Sequence, residues 1–207
     1  MKSILFQSRD PIDQVLDHMI RTMNATKTDF KPLPGYQKTV RGHYEDRRAA
    51  GLDCDEVYPN IFIGDAGTAR NKQYLQRIGI THVLNCAEGG KVGQVNTGAT
   101  YYEGCPIKYL GLKLADLPVA NIKKYFDCAS EFIEQAISSN GRILVHCVMG
   151  MSRSSTCVVA YLMLHQKSSA ATALQTIRRG RDVRPNPGFM RQLAELELEL
   201  IETRRNP

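Results

Sequence analysis

The pattern of apolar and polar positions changes character twice along the chain. Near the N-terminus, Ile12, Val15, Leu16, Met19, Ile20 and Met23 recur at helical spacing. Asp10-Pro11 ahead of them offers a capping carboxylate and a proline at the first helical position. Together they predict a short amphipathic helix that docks on the body of its own domain, with a partner-binding or membrane-surface helix as the other reading. Residues 24–50 lose this periodicity and carry Pro32, Pro34, Gly35 and Gly42, which reads as a linker or an irregular wrap. From Val57 onward, short apolar runs alternate with amphipathic stretches. Val57 to Gly64 reads as a strand pair with a turn. Ile80 to Asn85 and Tyr109 to Leu114 read as further strands, and Ile143-Leu144-Val145 as a short, fully apolar one. Helices are expected over Thr68 to Ile78, stopped by Gly79, and along the face Ile122, Phe126, Ala129, Ile133 and Ile137. Three more follow over Ser154 to Gln166, Thr172 to Arg179 and Phe189 to Glu202.

Strands alternating with helices predict an α/β fold with a central, mostly parallel sheet of about five strands flanked by helices. The expected organisation is an N-terminal helical extension and irregular segment over 1–50, packed on a domain over 51–207.

Composition narrows the class without naming a function. With 43% hydrophobic and 23% charged residues, collagen-like and largely disordered readings are excluded. No apolar run approaches the ~20 residues of a spanning helix. The apolar stretch Ile4-Leu5-Phe6 is too short for a secretory signal core. The expectation is a cytoplasmic and/or nuclear protein without a membrane partner. Lys plus Arg is 27 against 21 Asp plus Glu, a net charge of +6, which favours anionic partners. No aromatic-basic interleaving points to nucleic acid. The six cysteines, Cys54, Cys86, Cys105, Cys128, Cys147 and Cys157, form no C-x-x-C pair, so a zinc ribbon has no support.

The chemistry concentrates in Val145-His146-Cys147-Val148-Met149-Gly150-Met151-Ser152-Arg153-Ser154. An apolar strand ends here and a helix begins at once. The connecting loop can curl so that successive backbone N–H groups point inward, forming an anion nest at a helix N-terminus. Gly150 permits the tight path, and Arg153 can grip two phosphate oxygens with its planar fork. The same field favours the Cys147 thiolate, which is then placed for attack on phosphorus. Ser154 can donate to the sulfur. His146 is read as support behind the loop.

His146-Cys147-x5-Arg153-Ser154 resembles the signature of cysteine-based protein tyrosine phosphatases. The flanks are similar to the dual-specificity subgroup: Gly79-Ile80-Thr81-His82-Val83-Leu84-Asn85, Tyr161-Leu162-Met163 and Pro185-Asn186-Pro187-Gly188-Phe189. The likeness runs from about Glu56 to about Leu200 and is nearest to the small atypical enzymes related to MAP-kinase phosphatases. It implies a protein tyrosine phosphatase-like fold with a catalytic domain over 51–207. The implied activity is hydrolysis of phosphotyrosine and phosphoserine/phosphothreonine through a phosphocysteine on Cys147. Phosphorylated proteins, MAP kinases among them, are the implied substrates, acted on by a monomer or weak homodimer. The phosphate-binding loop would comprise His146, Cys147, Val148, Met149, Gly150, Met151, Ser152 and Arg153. No cofactor and no metal are implied, since arginine and backbone supply the positive field.

The resemblance also requires a general acid on a loop ahead of the nucleophile. Tyr109-Leu110-Gly111-Leu112-Lys113-Leu114-Ala115-Asp116 matches that strand and loop, which makes Asp116 the candidate and Asp127 its competitor. Asn186 is implied as a brace of the phosphate loop, although a Pro-Asn-Pro-Gly turn before a helix explains the same residues. Arg178, Arg179, Arg181 and Arg184 read either as a second anion site, with Arg181 its pocket member, or as a solvated helix end. Cys86 is either a buried structural thiol or a partner that captures oxidised Cys147 as a disulfide. Val148, Met149 and Met151 put no base in the loop, which disfavours inositol lipids. Two other functions remain open: a weak, phosphoprotein-binding pseudophosphatase, and a phosphatase of non-protein esters.

Overall fold

The computed structural model describes residues 10–36 and 43–205. The Ile4-Leu5-Phe6 stretch lies outside them. Five strands form one sheet: β1 (Cys54–Tyr58), β2 (Ile61–Gly64), β3 (His82–Asn85), β4 (Lys108–Gly111) and β5 (Ile143–His146). Their order across the sheet is β1-β2-β5-β3-β4. The β1–β2 hairpin is antiparallel and every other pairing is parallel. Asn60 closes the hairpin in a left-handed conformation, φ 63°.

Alternation along the strands sorts two cores. Ile61, Ile63, Leu84, Ile143 and Val145 face one side. There they meet α5 (Phe126–Ser138), α6 (Arg153–Leu164), α7 (Ala170–Gly180) and α8 (Pro187–Arg205). Phe62, Val83 and Leu144 face the other, against Leu33, Tyr74 and Leu75. The central helix α6 is buried on all sides, as expected for an apolar run covered by helices on both flanks.

The N-terminal helix α1 (Pro11–Ala25) forms as its pattern predicts, with Asp10 accepting from the Ile12 amide. It packs on α7 and α8 and buries Met19 completely. Beyond it the chain wraps the domain. The Thr28 hydroxyl donates to the Arg178 carbonyl at 2.9 Å, and the Pro34 carbonyl accepts from the Tyr74 hydroxyl at 3.0 Å.

Two elements differ from expectation. A helix, α2 (His43–Ala50), stands in the segment read as irregular. Its sequence, HYEDRRAA, has no apolar stripe; Glu45 and Asp46 in its first turn and Arg47 and Arg48 in its last suit the helix dipole instead. The single helix expected over Thr68 to Ile78 is broken into α3 (Ala66–Arg70) and α4 (Lys72–Arg77). Asn71 causes the break: its backbone N–H closes α3 on Thr68, while its side chain caps α4 by accepting from the Tyr74 amide at 2.9 Å.

Candidate active site

The loop from Cys147 to Ser152 joins β5 to α6, and its conformation follows from where its carbonyls go. The Val148 carbonyl accepts from the Ala66 amide at 3.0 Å. Arg181 donates to the Met149 carbonyl at 3.0 Å and to the Gly150 carbonyl at 2.8 Å. The Met151 carbonyl takes the Arg184 amide and the Ser155 hydroxyl, and the Ser152 carbonyl takes the Ser155 and Thr156 hydroxyls. Five consecutive carbonyls are thus held by donors around the loop, which leaves the amides to the concave side. Gly150 makes the path possible with φ 65°; a Cβ there would sit 2.6 Å from the Gly64 carbonyl oxygen.

Cys147 lies at the bottom of this cradle. Burial alone would push its thiol pKa up. The Ser154 hydroxyl, 3.4 Å from the sulfur, the Ser154 amide, the Arg153 charge and the Met151 amide together bring it below the usual thiol value. His146 is fully buried, with Nδ1 3.3 Å from the Cys147 carbonyl oxygen. Desolvation lowers its pKa to about 4, with Arg70 and Arg153 adding to the effect, so it is a neutral support and no proton acceptor for the sulfur at pH 7.

Arg153 is 4% exposed and aligned by carbonyls of two other loops, Gly93 at 2.9 Å and Leu114 at 3.2 Å, both bonded to Nη1. Its Nε has no protein acceptor in hydrogen-bond range, and the nearest carboxylate oxygen, Asp116 Oδ2, is 3.6 Å away. Asp116 Oδ1 accepts from the Ser152 hydroxyl at 2.7 Å and from Asn186 Nδ2 at 2.8 Å. The competitor Asp127 is exposed in the first turn of α5; of the two, Asp116 reaches the loop. Asn186 also donates its amide to the Ser152 hydroxyl at 3.1 Å and caps α8 through the Phe189 amide.

The loop carrying Asp116 is fastened on its far side. Gln192 on α8 accepts from the Ile122 and Lys123 amides and donates to the Ala120 carbonyl. The Pro118 carbonyl lies 1.8 Å from where a Cβ at position 188 would be, so only Gly188 lets α8 approach this closely.

The second anion site does not form around Arg181. All five of its N–H bonds are spent, on the Met149 and Gly150 carbonyls and on Asp53 and Asp55. Arg178 is also turned inward, to the Thr26 and Val183 carbonyls. Arg184 pairs with Asp182 on the surface. The basic cluster seen in sequence is therefore divided, and its pocket member supports the loop from outside. Sequence reasoning missed Asp53, Asp55 and Arg47 behind it, because no local spacing links them to the loop. Cys86 is fully buried, and desolvation, then the neighbouring Cys157 and Cys147, push its thiol well up. Among the described residues no group of three or more His, Cys, Asp or Glu side chains is disposed to hold a metal ion.

Four exposed apolar side chains lie on the segments that form the site. Val92 precedes the Gly93 that holds Arg153, Leu117 and Val119 follow Asp116, and Met149 belongs to the loop itself.

Known proteins share this architecture. Residues 61–199 match the family "Dual specificity phosphatase, catalytic domain". Human dual specificity protein phosphatase 13B is 44% identical over 156 residues, covering 74% of this chain and 78% of that protein. The crystal structure of human DUSP28 superposes with a TM-score of 0.62 at 28% identity, over 72% of this chain and 95% of its own. That of DUSP15 gives 0.62 at 30% identity, over 74% and 92%.

Proposed function

From the premise that this chain belongs to the dual specificity phosphatase family and is a dual-specificity protein phosphatase, we propose that it works through a phosphocysteine on Cys147. The substrate phosphate takes the amides of the loop and the fork of Arg153. The Cys147 thiolate attacks phosphorus, forming the S–P bond as the ester P–O bond breaks. Asp116 gives its proton to the departing oxygen. As a carboxylate it then takes a proton from water, whose oxygen attacks phosphorus and breaks the S–P bond. Ser154 stabilises the thiolate that leaves. The net reaction is phosphate ester plus water to alcohol or phenol plus inorganic phosphate. Arginine and oriented amides carry the developing charge, and no cofactor is called for.

The observation that carries this reading is the convergence of three elements on one loop. Ser154 donates to the Cys147 sulfur at 3.4 Å, while Asp116 Oδ2 stands 3.6 Å from Arg153 Nε. The exposed apolar side chains Val92, Leu117, Val119 and Met149 favour a phosphotyrosine ring and apolar flanking residues over polyanionic lipids or RNA. Phosphorylated MAP kinases are the substrates this reading puts first. A thiolate nucleophile also suits a reducing compartment, the cytoplasm and/or nucleus, with the enzyme as monomer or weak homodimer.

The test is hydrolysis of an aryl phosphate from pH 5 to 8 in EDTA by wild type, Cys147→Ser and Asp116→Asn. The reading expects turnover by wild type, none by Cys147→Ser, and loss of the basic limb in Asp116→Asn. A folded wild type that binds vanadate without turnover would overturn it in favour of phosphoprotein binding. Phosphopeptides from MAP-kinase activation segments, set beside an unrelated panel, test the substrate choice.

A further inference from the structure

Behind the phosphate loop lies a closed cluster of two arginines and two aspartates that joins it to the N-terminal extension. Arg181 donates through Nη1 to Asp55 Oδ2 at 2.8 Å and to Asp53 Oδ1 at 3.0 Å, and through Nη2 to Asp53 Oδ2 at 2.5 Å. The same carboxylates receive a second guanidinium. Arg47 on α2 donates to Asp53 Oδ1 at 2.8 Å and Asp55 Oδ2 at 3.2 Å, and forms a further short contact with Asp55 Oδ1. It also donates to the Lys31 carbonyl at 3.1 Å and the Cys54 carbonyl at 3.2 Å. The Arg47, Asp55 and Arg181 side chains are 11%, 7% and 6% exposed, so the two pairs with Asp55 are little screened by water, whereas Asp53 is 45% exposed and its pairs are screened more. Burial alone would lower both arginine pKa values, but the aspartates raise them; Asp53 is held low by the arginines against its own burial.

The charge balance gives this arrangement its meaning. Two carboxylates beside the loop would oppose a bound phosphate and the Cys147 thiolate. Arg181 offsets one of them, and Arg47 offsets the other. Arg47 also fixes the carboxylates that aim Arg181, whose other N–H bonds hold the Met149 and Gly150 carbonyls. Arg47 lies outside residues 61–199, the part of the chain that matches the family.

We propose that Arg47 is a positioning residue of this phosphatase: through Asp53, Asp55 and Arg181 it holds the phosphate loop open to anions and keeps the Cys147 thiolate stable. The N-terminal extension is then part of the catalytic apparatus. The proposal rests on Cys147 being the nucleophile.

The charged and titratable groups around Cys147 are Arg153 on α6, Asp116 across the loop, His146 before it and Cys86 beyond β3. Arg47 bonds to none of them; its bonded route to the loop runs through Asp53, Asp55 and Arg181, and the Arg47→Lys variant, which keeps the charge, separates that route from a through-space effect.

The experiment uses the full chain as wild type, Arg47→Gln, Arg47→Lys and, as a control, Arg48→Ala, whose side chain is exposed on the same helix. Two quantities are read: the pH midpoint of Cys147 alkylation by iodoacetamide and inhibition by inorganic phosphate. Arg47→Gln is expected to raise the midpoint by about half a unit or more and to weaken phosphate inhibition about three- to tenfold. Arg47→Lys keeps the charge without the fork and should fall between. Arg48→Ala should match wild type. A lower melting temperature with an unmoved alkylation curve and unmoved phosphate inhibition means a purely structural Arg47 and overturns the proposal. If Arg47→Gln does not fold, the same two quantities measured on Arg47→Lys decide. Absence of Cys147-dependent turnover in wild type would instead remove the mechanism on which the proposal rests.

Discussion

Asn186 Nδ2 donates to Asp116 Oδ1 at 2.8 Å across 70 residues of sequence. The Ser152 hydroxyl takes the same oxygen at 2.7 Å, leaving Oδ2 towards Arg153. A proton carried by Asp116 therefore belongs on Oδ2, the oxygen on the arginine side. Removing Asn186 frees the carboxyl to rotate. Asn186→Ala should lower kcat about tenfold on a phosphothreonine peptide, whose alkoxide needs protonation. On an aryl phosphate with an acidic phenol the loss should be about threefold at most. Equal losses on both substrates would mean that Asn186 supports only the fold.

Thiol reactivity should run against exposure. Cys128 is the exposed cysteine, yet burial of its sulfur pushes its pKa up, as it does for Cys54 and Cys86. Cys147 alone among these is shifted down. At pH 6.5, iodoacetamide should modify Cys147 first, and inorganic phosphate should protect it. Peptide mapping after partial reaction checks both points; earlier labelling of Cys128 would contradict them.

His146 should make the protein acid-sensitive. Its folded pKa of about 4 lies below the ~6.5 of an unfolded histidine, so the unfolded chain takes the proton first as pH falls. Stability from this group is complete above pH ~6.5 and is lost progressively towards pH ~4, by up to about 3 kcal/mol. His82 is shifted in the same direction by burial and Lys108. Melting temperatures between pH 7 and 4.5 should fall less steeply for His146→Asn than for wild type.

Gly150→Ala should disable the site without unfolding the domain. It places a methyl group 2.6 Å from the Gly64 carbonyl and requires φ 65° of a non-glycine residue, a strain of about 1–3 kcal/mol. The loop can relieve this only by turning a peptide. An activity loss above about tenfold is expected, with far-ultraviolet dichroism unchanged.

The loop from Cys147 to Ser152 was legible because its pattern is contiguous: strand, cysteine, glycine, arginine and helix follow one another within a dozen residues. Asp116 was legible only as a position after a strand; what selects it over Asp127 is a contact with Ser152 that no spacing encodes. For Arg181 the sequence leaves a second anion site and a solvated helix end both open, since a basic residue in a row of arginines carries no sign of what lies behind it. Its true partners, Asp53 and Asp55, are more than a hundred residues away and pair with it only once β1 is in place. Helix α2 escaped notice because its charges suit the helix dipole while its sequence presents no apolar face. The break at Asn71 escaped because asparagine fits a continuous helix as a mild penalty but fits a cap better.

Gln192 grips the backbone on the far side of the acid loop through both ends of its amide, while Gly188 seats the Pro118 carbonyl against α8. These contacts tie the loop to α8. With Asp116 as the proton donor proposed above, already bonded to Ser152 and Asn186, added viscogen is expected to leave kcat unchanged; a kcat that falls with viscosity would point to a loop motion or to product release. On that mechanism a change of substrate should act through the acidity of its leaving group and through its contacts with the exposed apolar side chains beside the site.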